Sequence, residues 1–316
     1  MPVWIRAGLT LAALAYLIRQ AGGQATLDAA ARLDGGSLLV IAALTAADRA
    51  VMVWRWILLV RATGVRLPWT HGVRLYLESS FVGSLAPAGV GGDVARAWQL
   101  GRQTSRGADV VAAGVVDRWL GLTSVILLGI YGLANWTRTV DWRVSALTYG
   151  FLGLALAGSV IGLWADRVLA MLVPQAWLAR KPWTLLTRLA EAVSVYRRAW
   201  RTLAWVSVLS LVVQVLRVVL AWVIGRGMGI DVGLSYYLVF MPIGIILILL
   251  PISIGGFGPA QGGIVWMMRP LGVPDALSFA MSTVFILAGL VANLPGALLL
   301  LTRRPVAEPA HRENGP

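Results

Sequence analysis

Apolar residues in this chain come in long blocks separated by short polar stretches. Blocks of bilayer-crossing length fall near residues 3–20, 38–60, 107–133, 143–164, 203–226 and 276–301, since about 20 such residues span a membrane as a helix. Two further apolar segments, near 72–88 and 235–250, each stop at a break dense in glycine and proline. The first break reads Ala86-Pro87-Ala88-Gly89-Val90-Gly91-Gly92. The second reads Pro251-Ile252-Ser253-Ile254-Gly255-Gly256-Phe257-Gly258-Pro259. Such sequences end helices, and backbone broken at membrane depth must be buried in protein or face water. Both segments are therefore expected as re-entrant hairpins that leave on the side they entered. The fold class this predicts is an all-α polytopic membrane protein: about six full spans plus two re-entrant helical hairpins, in a single transmembrane domain over 1–316.

Composition sharpens the class. Of 316 residues, 58% are hydrophobic and 13% charged, about half the charge of an ordinary soluble protein. That excludes a solvated globular chain, and the hydrophobicity excludes disorder. With no cysteine, and with His71 and His311 in a loop and a tail, neither a disulfide framework nor a metal constellation is available by the usual spacings. No cofactor is expected. The net charge of +13 does not point to nucleic acid, because the arginines sit between apolar blocks rather than along a polar face with aromatics. Arg6 and the apolar stretch Ala7–Ile18 resemble a secretory signal, but Arg19 directly after them is wrong for cleavage, so a retained first span is expected.

Basic residues also set an orientation. With the N-terminus cytoplasmic, six spans, and both hairpins returning to their own side, 17 of the 27 Lys and Arg fall in cytoplasmic segments. Six fall outside and four within spans, the sign the positive-inside rule requires. Both termini are then cytoplasmic. Trp54, Trp56, Trp69, Trp136, Trp142, Trp164, Trp200 and Trp205 lie near the proposed borders and read as interfacial anchors. The stretch from about 166 to 201 alternates basic and apolar residues and is expected to include an amphipathic helix on the cytoplasmic face. The tail 303–316 is expected to be flexible.

An internal repeat runs through this pattern. Pro87 precedes Gly91-Gly92 as Pro251 precedes Gly255-Gly256, and Arg61-Ala62-Thr63-Gly64-Val65 matches Arg226-Gly227-Met228-Gly229-Ile230. The offsets are 164 and 165 residues. Each half, about 37–135 and 201–303, runs span, R-x-x-G loop, short apolar segment, P-x3-G-G break, span. The charge count inverts one half relative to the other, and paired broken segments in inverted halves point to a central transport site.

Charged residues inside the blocks need explaining, since each costs about 2.5–3.5 kcal/mol at a helix centre on insertion scales. Asp48 and Arg49 lie mid-span, as does Arg217 in the matching helix, and Asp117-Arg118 lies about ten residues into another. They read either as ion pairs that fix packing or as a polar path for a charged headgroup, and the two are compatible. Glu78 lies in the first apolar limb. Asp93 and Arg96, three apart after the first break, share a face if a helix restarts there. Gln261 follows the second break and can donate and accept without charge. Arg55, near an interface, reads as snorkelling. The candidate substrate site comprises Asp93, Arg96, Asp117, Arg118, Arg217, Gln261 and Arg49, with Pro87, Gly91, Gly92, Pro251, Gly255, Gly256 and Gly258 as the re-entrant breaks.

The stretch Leu85-Ala-Pro-Ala-Gly-Val-Gly-Gly-Asp93-Val-Ala-Arg96, with Asp117-Arg118, Leu250-Pro-Ile-Ser-Ile-Gly-Gly-Phe-Gly258 and Asn293-Leu-Pro-Gly296, resembles the flippase-like membrane domain of lysylphosphatidylglycerol synthases and their stand-alone relatives. The resemblance covers essentially the whole chain. It implies a helical fold with re-entrant segments, a membrane lipid as partner, lipid movement between leaflets, and a bacterial cytoplasmic (inner) membrane location. Where the family's second break reads G-x-G-x-x-E, this chain has Gln261. No soluble aminoacyl-transfer domain follows before Pro316, so lysyl transfer is not expected.

Three functions compete. The first is a lipid transporter or flippase for a lipid with a polar, phosphate-bearing headgroup, such as a modified phospholipid, a hopanoid or a polyprenyl-linked lipid. It would not be an enzyme. No G-x-x-x-x-G-K-[ST] motif is present, so its drive is a gradient, a partner or the lipid's own concentration difference. The second is a lipid-modifying enzyme: Asp93-Val94-Ala95-Arg96 resembles the opening of the CDP-alcohol phosphotransferase motif, but the aspartates that two-metal chemistry needs do not follow. The third is a scaffold for lipid-biosynthesis enzymes, docking through 166–201.

Overall fold

The computed structural model describes residues 23–84, 90–135, 161–172, 181–249 and 258–301, with the short stretches 149–150, 153–154 and 157–158. The expected span 3–20, most of the block 143–164, the tips of both breaks (85–89 and 250–257) and the tail 303–316 lie outside the described residues. Among the described residues every regular element is helical. After a short helix α1 (Gly23–Ala30) the first half consists of α2 (Gly35–Ala62), α3 (Trp69–Ser84), α4 (Val90–Thr104) and α5 (Gly107–Asn135). Two connecting helices follow, α6 (Ala165–Leu172) and α7 (Lys181–Ser194). The second half is α8 (Trp200–Gly227), α9 (Leu234–Leu249), α10 (Pro259–Met268), α11 (Asp275–Val291) and α12 (Leu294–Leu301).

Among the described residues, four helical stretches are long and apolar enough to cross a membrane: Gly35–Ala62, Gly107–Asn135, Trp200–Gly227 and Asp275–Leu301. At 1.5 Å per residue, 27–29 residues reach about 40–43 Å, the full bilayer including headgroups. The hairpin limbs are different. α3 and α4 have 16 and 15 residues, α9 and α10 have 16 and 10. They reach about 15–24 Å, short of the roughly 30 Å hydrocarbon core. In each hairpin the two limbs pack on each other. At Gly92 a side chain would lie 2.8 Å from the Ser79 carbonyl oxygen, so the second glycine of the first P-x3-G-G break is where the limbs close.

The two R-x-x-G loops are the same structure built twice. Asp34 caps the start of α2 by accepting from the Ser37 N–H at 2.8 Å; α2 ends with Gly64 at φ +85° and α8 with Gly229 at φ +87°. That left-handed conformation favours glycine. Gly64 and Gly229 donate their N–H groups to the Arg61 and Arg226 carbonyls at 2.9 and 3.0 Å. The next residues, Val65 and Ile230, are buried.

The halves are inverted, and the contacts between α2 and α8 show it. Ser37 near the start of α2 faces Gly227 at the end of α8, Asp48 pairs with Arg217, Trp54 meets Trp205 edge-on and Arg55 reaches Ser210. The order runs in opposite directions along the two helices. Arg217 Nη2 also lies 3.0 Å from the Met52 sulfur. These two positions are 165 apart, so residues that the repeat equates touch each other, as they must on a two-fold axis.

Each hairpin then packs on the long helix of the opposite half. α9 lies along α5, where a Cβ on Gly132 would come within 2.5 Å of the Leu238 carbonyl oxygen. α3 lies along α12, where one on Gly296 would come within 2.0 Å of the Leu77 carbonyl oxygen. Gly132 and Gly296 are 164 residues apart, the offset of the breaks. Two apolar cores result: one surrounds Trp56, Ile57, Leu75 and Leu100 and takes in Val206 of α8, and the other surrounds Ile224, Phe240, Ile264 and Met281 and takes in Ile41, Val125 and Leu128 of the first half.

Among the described residues of 166–201 lie the α-helices α6 and α7, and α7 packs on α5. Ala192 and Val193 enter the first core, and the buried Tyr196 hydroxyl donates to the Leu59 carbonyl at 2.8 Å. Arg197 grips Asp166 through two hydrogen bonds of 2.6 Å, which hold that carboxyl below its ordinary range.

Candidate functional site

α4 restarts the chain after the first break, and its opening turns carry the charged cluster. Asp93 lies in the first turn, where an acid is favoured by the helix dipole. Its carboxylate accepts from Arg96, one turn on, and from Arg118 of α5. The bridged arginines differ in setting. The Arg118 side chain is 41% exposed, that of Arg96 only 7%, so the cluster runs from an accessible cation to a buried one. Arg96 lies over the Tyr76 ring at 4.3 Å and near the Trp56 ring at 5.4 Å, and one of its terminal nitrogens is 3.5 Å from Ser79 Oγ. Its Nε is buried without a hydrogen-bond partner among the described residues. These three side chains sum to one positive charge, with a buried donor still to satisfy. That is an anion-binding arrangement.

Asp117 is adjacent to Arg118 on α5, but a step of about 100° per residue turns it elsewhere. It faces α2, where Arg55 pairs with it at 2.6 Å with both side chains under 9% exposed. Arg55 also donates to Ser210 of α8 at 3.0 Å. The snorkelling expected for Arg55 is therefore corrected: its guanidinium turns into the crossing of three long helices because Asp117 and Ser210 satisfy it there. Trp56 is corrected likewise. It is 1% exposed and packs beside Tyr76, not at an interface.

The remaining candidates lie apart from Asp93. Arg217 pairs with Asp48 at 2.9 Å on the two-fold contact. Arg49 reaches the Gly289 carbonyl at 3.4 Å. Glu78 pairs with Arg74 at 2.6 Å, and Arg74 also donates to the Leu299 carbonyl. Gln261 is fully buried at the start of α10, where its Oε1 accepts from the Gly258 N–H at 3.1 Å and its Nε2 donates to Thr283 at 2.5 Å. Of the break residues, Gly91, Gly92 and Gly258 are described; Pro87, Pro251, Gly255 and Gly256 are not. A shallow hollow of about 410 Å³ lies over the first R-x-x-G loop, lined by Arg61 and residues 64–68, away from the charged cluster.

Several members escaped the sequence reading. Ser79, Tyr76 and Trp56 reach Arg96 from α3 and α2, and no local motif marks them. Asn293 donates to Ser84 at 2.5 Å where α11 gives way to α12. Thr283 was within reach: adding the 165-residue offset to Arg118 gives its position.

Inverted helical halves, each with a broken hairpin clasped by the other, define a polytopic membrane protein of the internal-repeat class. Comparison with known families identifies the family. Residues 3–296 match the family described as lysylphosphatidylglycerol synthase TM region, and the chain belongs to that family. Neither a comparison with curated proteins nor one with solved structures gives a match.

Proposed function

We propose that the protein is a flippase-like lipid carrier, moving a lipid with a phosphate-bearing headgroup between the leaflets of a bacterial inner membrane, with both termini cytoplasmic and without making or breaking bonds in it. The observation that carries this reading is the Asp93–Arg96–Arg118 cluster at the restart of a broken hairpin. Asp93 holds two guanidiniums that a phosphate can hold equally well, since bidentate recognition suits both anions. Exposed Arg118 meets the headgroup first, buried Arg96 takes it deeper, and the acyl tails stay in the bilayer. Membership of a lipid-related membrane family supports the substrate class.

Purified protein in vesicles, with fluorescent lipids and a membrane-impermeant quencher, tests it. Protected lipid is expected to become accessible faster than in empty vesicles. Arg118→Ala is expected to slow this roughly tenfold or more, the value of a lost charge-assisted hydrogen bond. An unchanged rate in a correctly inserted variant removes the cluster from the mechanism. Acceleration that disappears with chelator would favour a metal-dependent enzyme instead.

A further inference from the structure

The charged cluster has a counterpart in the second half, and the two differ in one respect. At the 165-residue offset of the R-x-x-G loops, one more than that of the glycine pairs in the breaks, Asp93, Arg96 and Arg118 fall on Gly258, Gln261 and Thr283. These three are also joined. Gln261 accepts from the Gly258 N–H at 3.1 Å and donates to Thr283 at 2.5 Å, linking a hairpin's second limb to its long helix as Asp93 links Arg96 to Arg118. Each half thus ties its hairpin's second limb to its long helix, once through charged and once through neutral side chains. The buried Nε of Arg96, unpartnered among the described residues, marks the charged copy as the one that still lacks an acceptor.

The charge census of the hydrophobic helices points the same way. Their described carboxylates are Asp48, Glu78, Asp93, Asp109, Asp117 and Asp275, and each is held by an arginine: Arg217, Arg74, Arg96 with Arg118, Arg106, Arg55 and Arg269. Arg49 contributes a further cation, held by the Gly289 carbonyl oxygen. Anion sites outnumber anions, and no described carboxylate within these helices is left over for an ammonium group. A headgroup cation would have to displace an arginine that already holds the carboxylate.

Resting on the carrier reading, we propose that the protein selects its lipid by charge class: it takes headgroups with a phosphate and no compensating cation, such as a phosphatidylglycerol-like or phosphomonoester lipid. Zwitterionic and cationic headgroups are discriminated against. The neutral Gly258–Gln261–Thr283 cluster is the element that withholds a partner from an ammonium group.

Two measurements test this separately from transport. Retention of lipids by the detergent-purified protein, read by native mass spectrometry from an equimolar mixture of phosphatidylglycerol, phosphatidate, phosphatidylethanolamine and phosphatidylcholine, reports binding alone. The expected result is at least tenfold enrichment of the two anionic lipids over the two zwitterionic ones. Arg96→Gln is expected to reduce that ratio. Gln261→Glu, which places a carboxylate in the neutral cluster, is expected to raise retention of phosphatidylethanolamine. Equal retention of the four lipids by the unaltered protein overturns the proposal without the need for a variant. Glycerol 3-phosphate as competitor separates the two sources of phosphate: failure to displace the lipid at millimolar concentration supports a lipid ligand, and displacement at micromolar concentration overturns it. In the vesicle assay, anionic lipid bound selectively but not moved would leave the charge selection intact and defeat the carrier reading. Zwitterionic lipid moved as fast as anionic lipid would do the reverse.

Discussion

At the crossing of α2, α5 and α8, Arg55 and Asp117 form an ion pair with both side chains under 9% exposed. Breaking a buried pair by removing one charge leaves the other uncompensated, at a cost of about 3–5 kcal/mol. Asp117→Asn is therefore expected to lower the melting temperature of the detergent-solubilised protein sharply. The double change Arg55→Met with Asp117→Leu is expected to restore much of it. If the single variant melts as the unaltered protein does, the pair carries no structural weight. What the sequence made legible here was the presence of intramembrane charges. Which charge holds which was hidden, because adjacent residues such as Asp117 and Arg118 face different helices and only tertiary packing selects their partners. Arg55 shows the limit most clearly: its place near a helix end suggested a solvated head, while a serine 155 residues away shares in its burial.

Among elements, the hairpins are the informative case. Their limbs were legible because glycine and proline punctuate apolar sequence. Their docking was not, since it rests on single glycines in otherwise featureless helices. Gly296→Ala would drive a methyl group onto the Leu77 carbonyl oxygen, and Gly132→Ala one onto that of Leu238. Each is expected to destabilise by about 1–3 kcal/mol, read as an earlier thermal transition. Gly289→Ala, where a Cβ meets nothing within 4 Å, is the matched control and is expected to be silent. The connecting helices offer a pH-dependent test. Arg197 holds the Asp166 carboxyl below its ordinary range, so this contact stabilises the fold above the unfolded carboxyl's pKa, about 3.9. The contribution is lost as pH falls through the lower, folded value. Asp166→Asn is expected to flatten the acid limb of the melting temperature against pH.

For the whole molecule, antiparallel packing of α2 on α8 sets the two R-x-x-G loops at opposite ends of the helix pair, which predicts that they face opposite sides of the membrane. The absence of cysteine from the chain makes this directly measurable. Exposed Arg66 and Asp231 flank the two loops. Arg66→Cys and Asp231→Cys, introduced singly, are expected to react with an impermeant maleimide from opposite sides of sealed vesicles, and reaction from one side would dismiss the inverted arrangement. This level of organisation was legible because both loop and break motifs recur in order at nearly constant spacing. The exchange of hairpins between halves left no such trace.

That exchange has a consequence for how the molecule could have arisen. The first limb of each hairpin rests on a long helix of the opposite half and the second limb on that of its own, so a half-length forerunner could complete both contacts only with a second copy inserted the other way up. Such a dual-topology homodimer has two identical hairpins by necessity: whatever charge one carries, the other carries too. Only after the copies were fused into one gene could Asp93, Arg96 and Arg118 part company with Gly258, Gln261 and Thr283, giving an antisymmetric scaffold a polarity of its own.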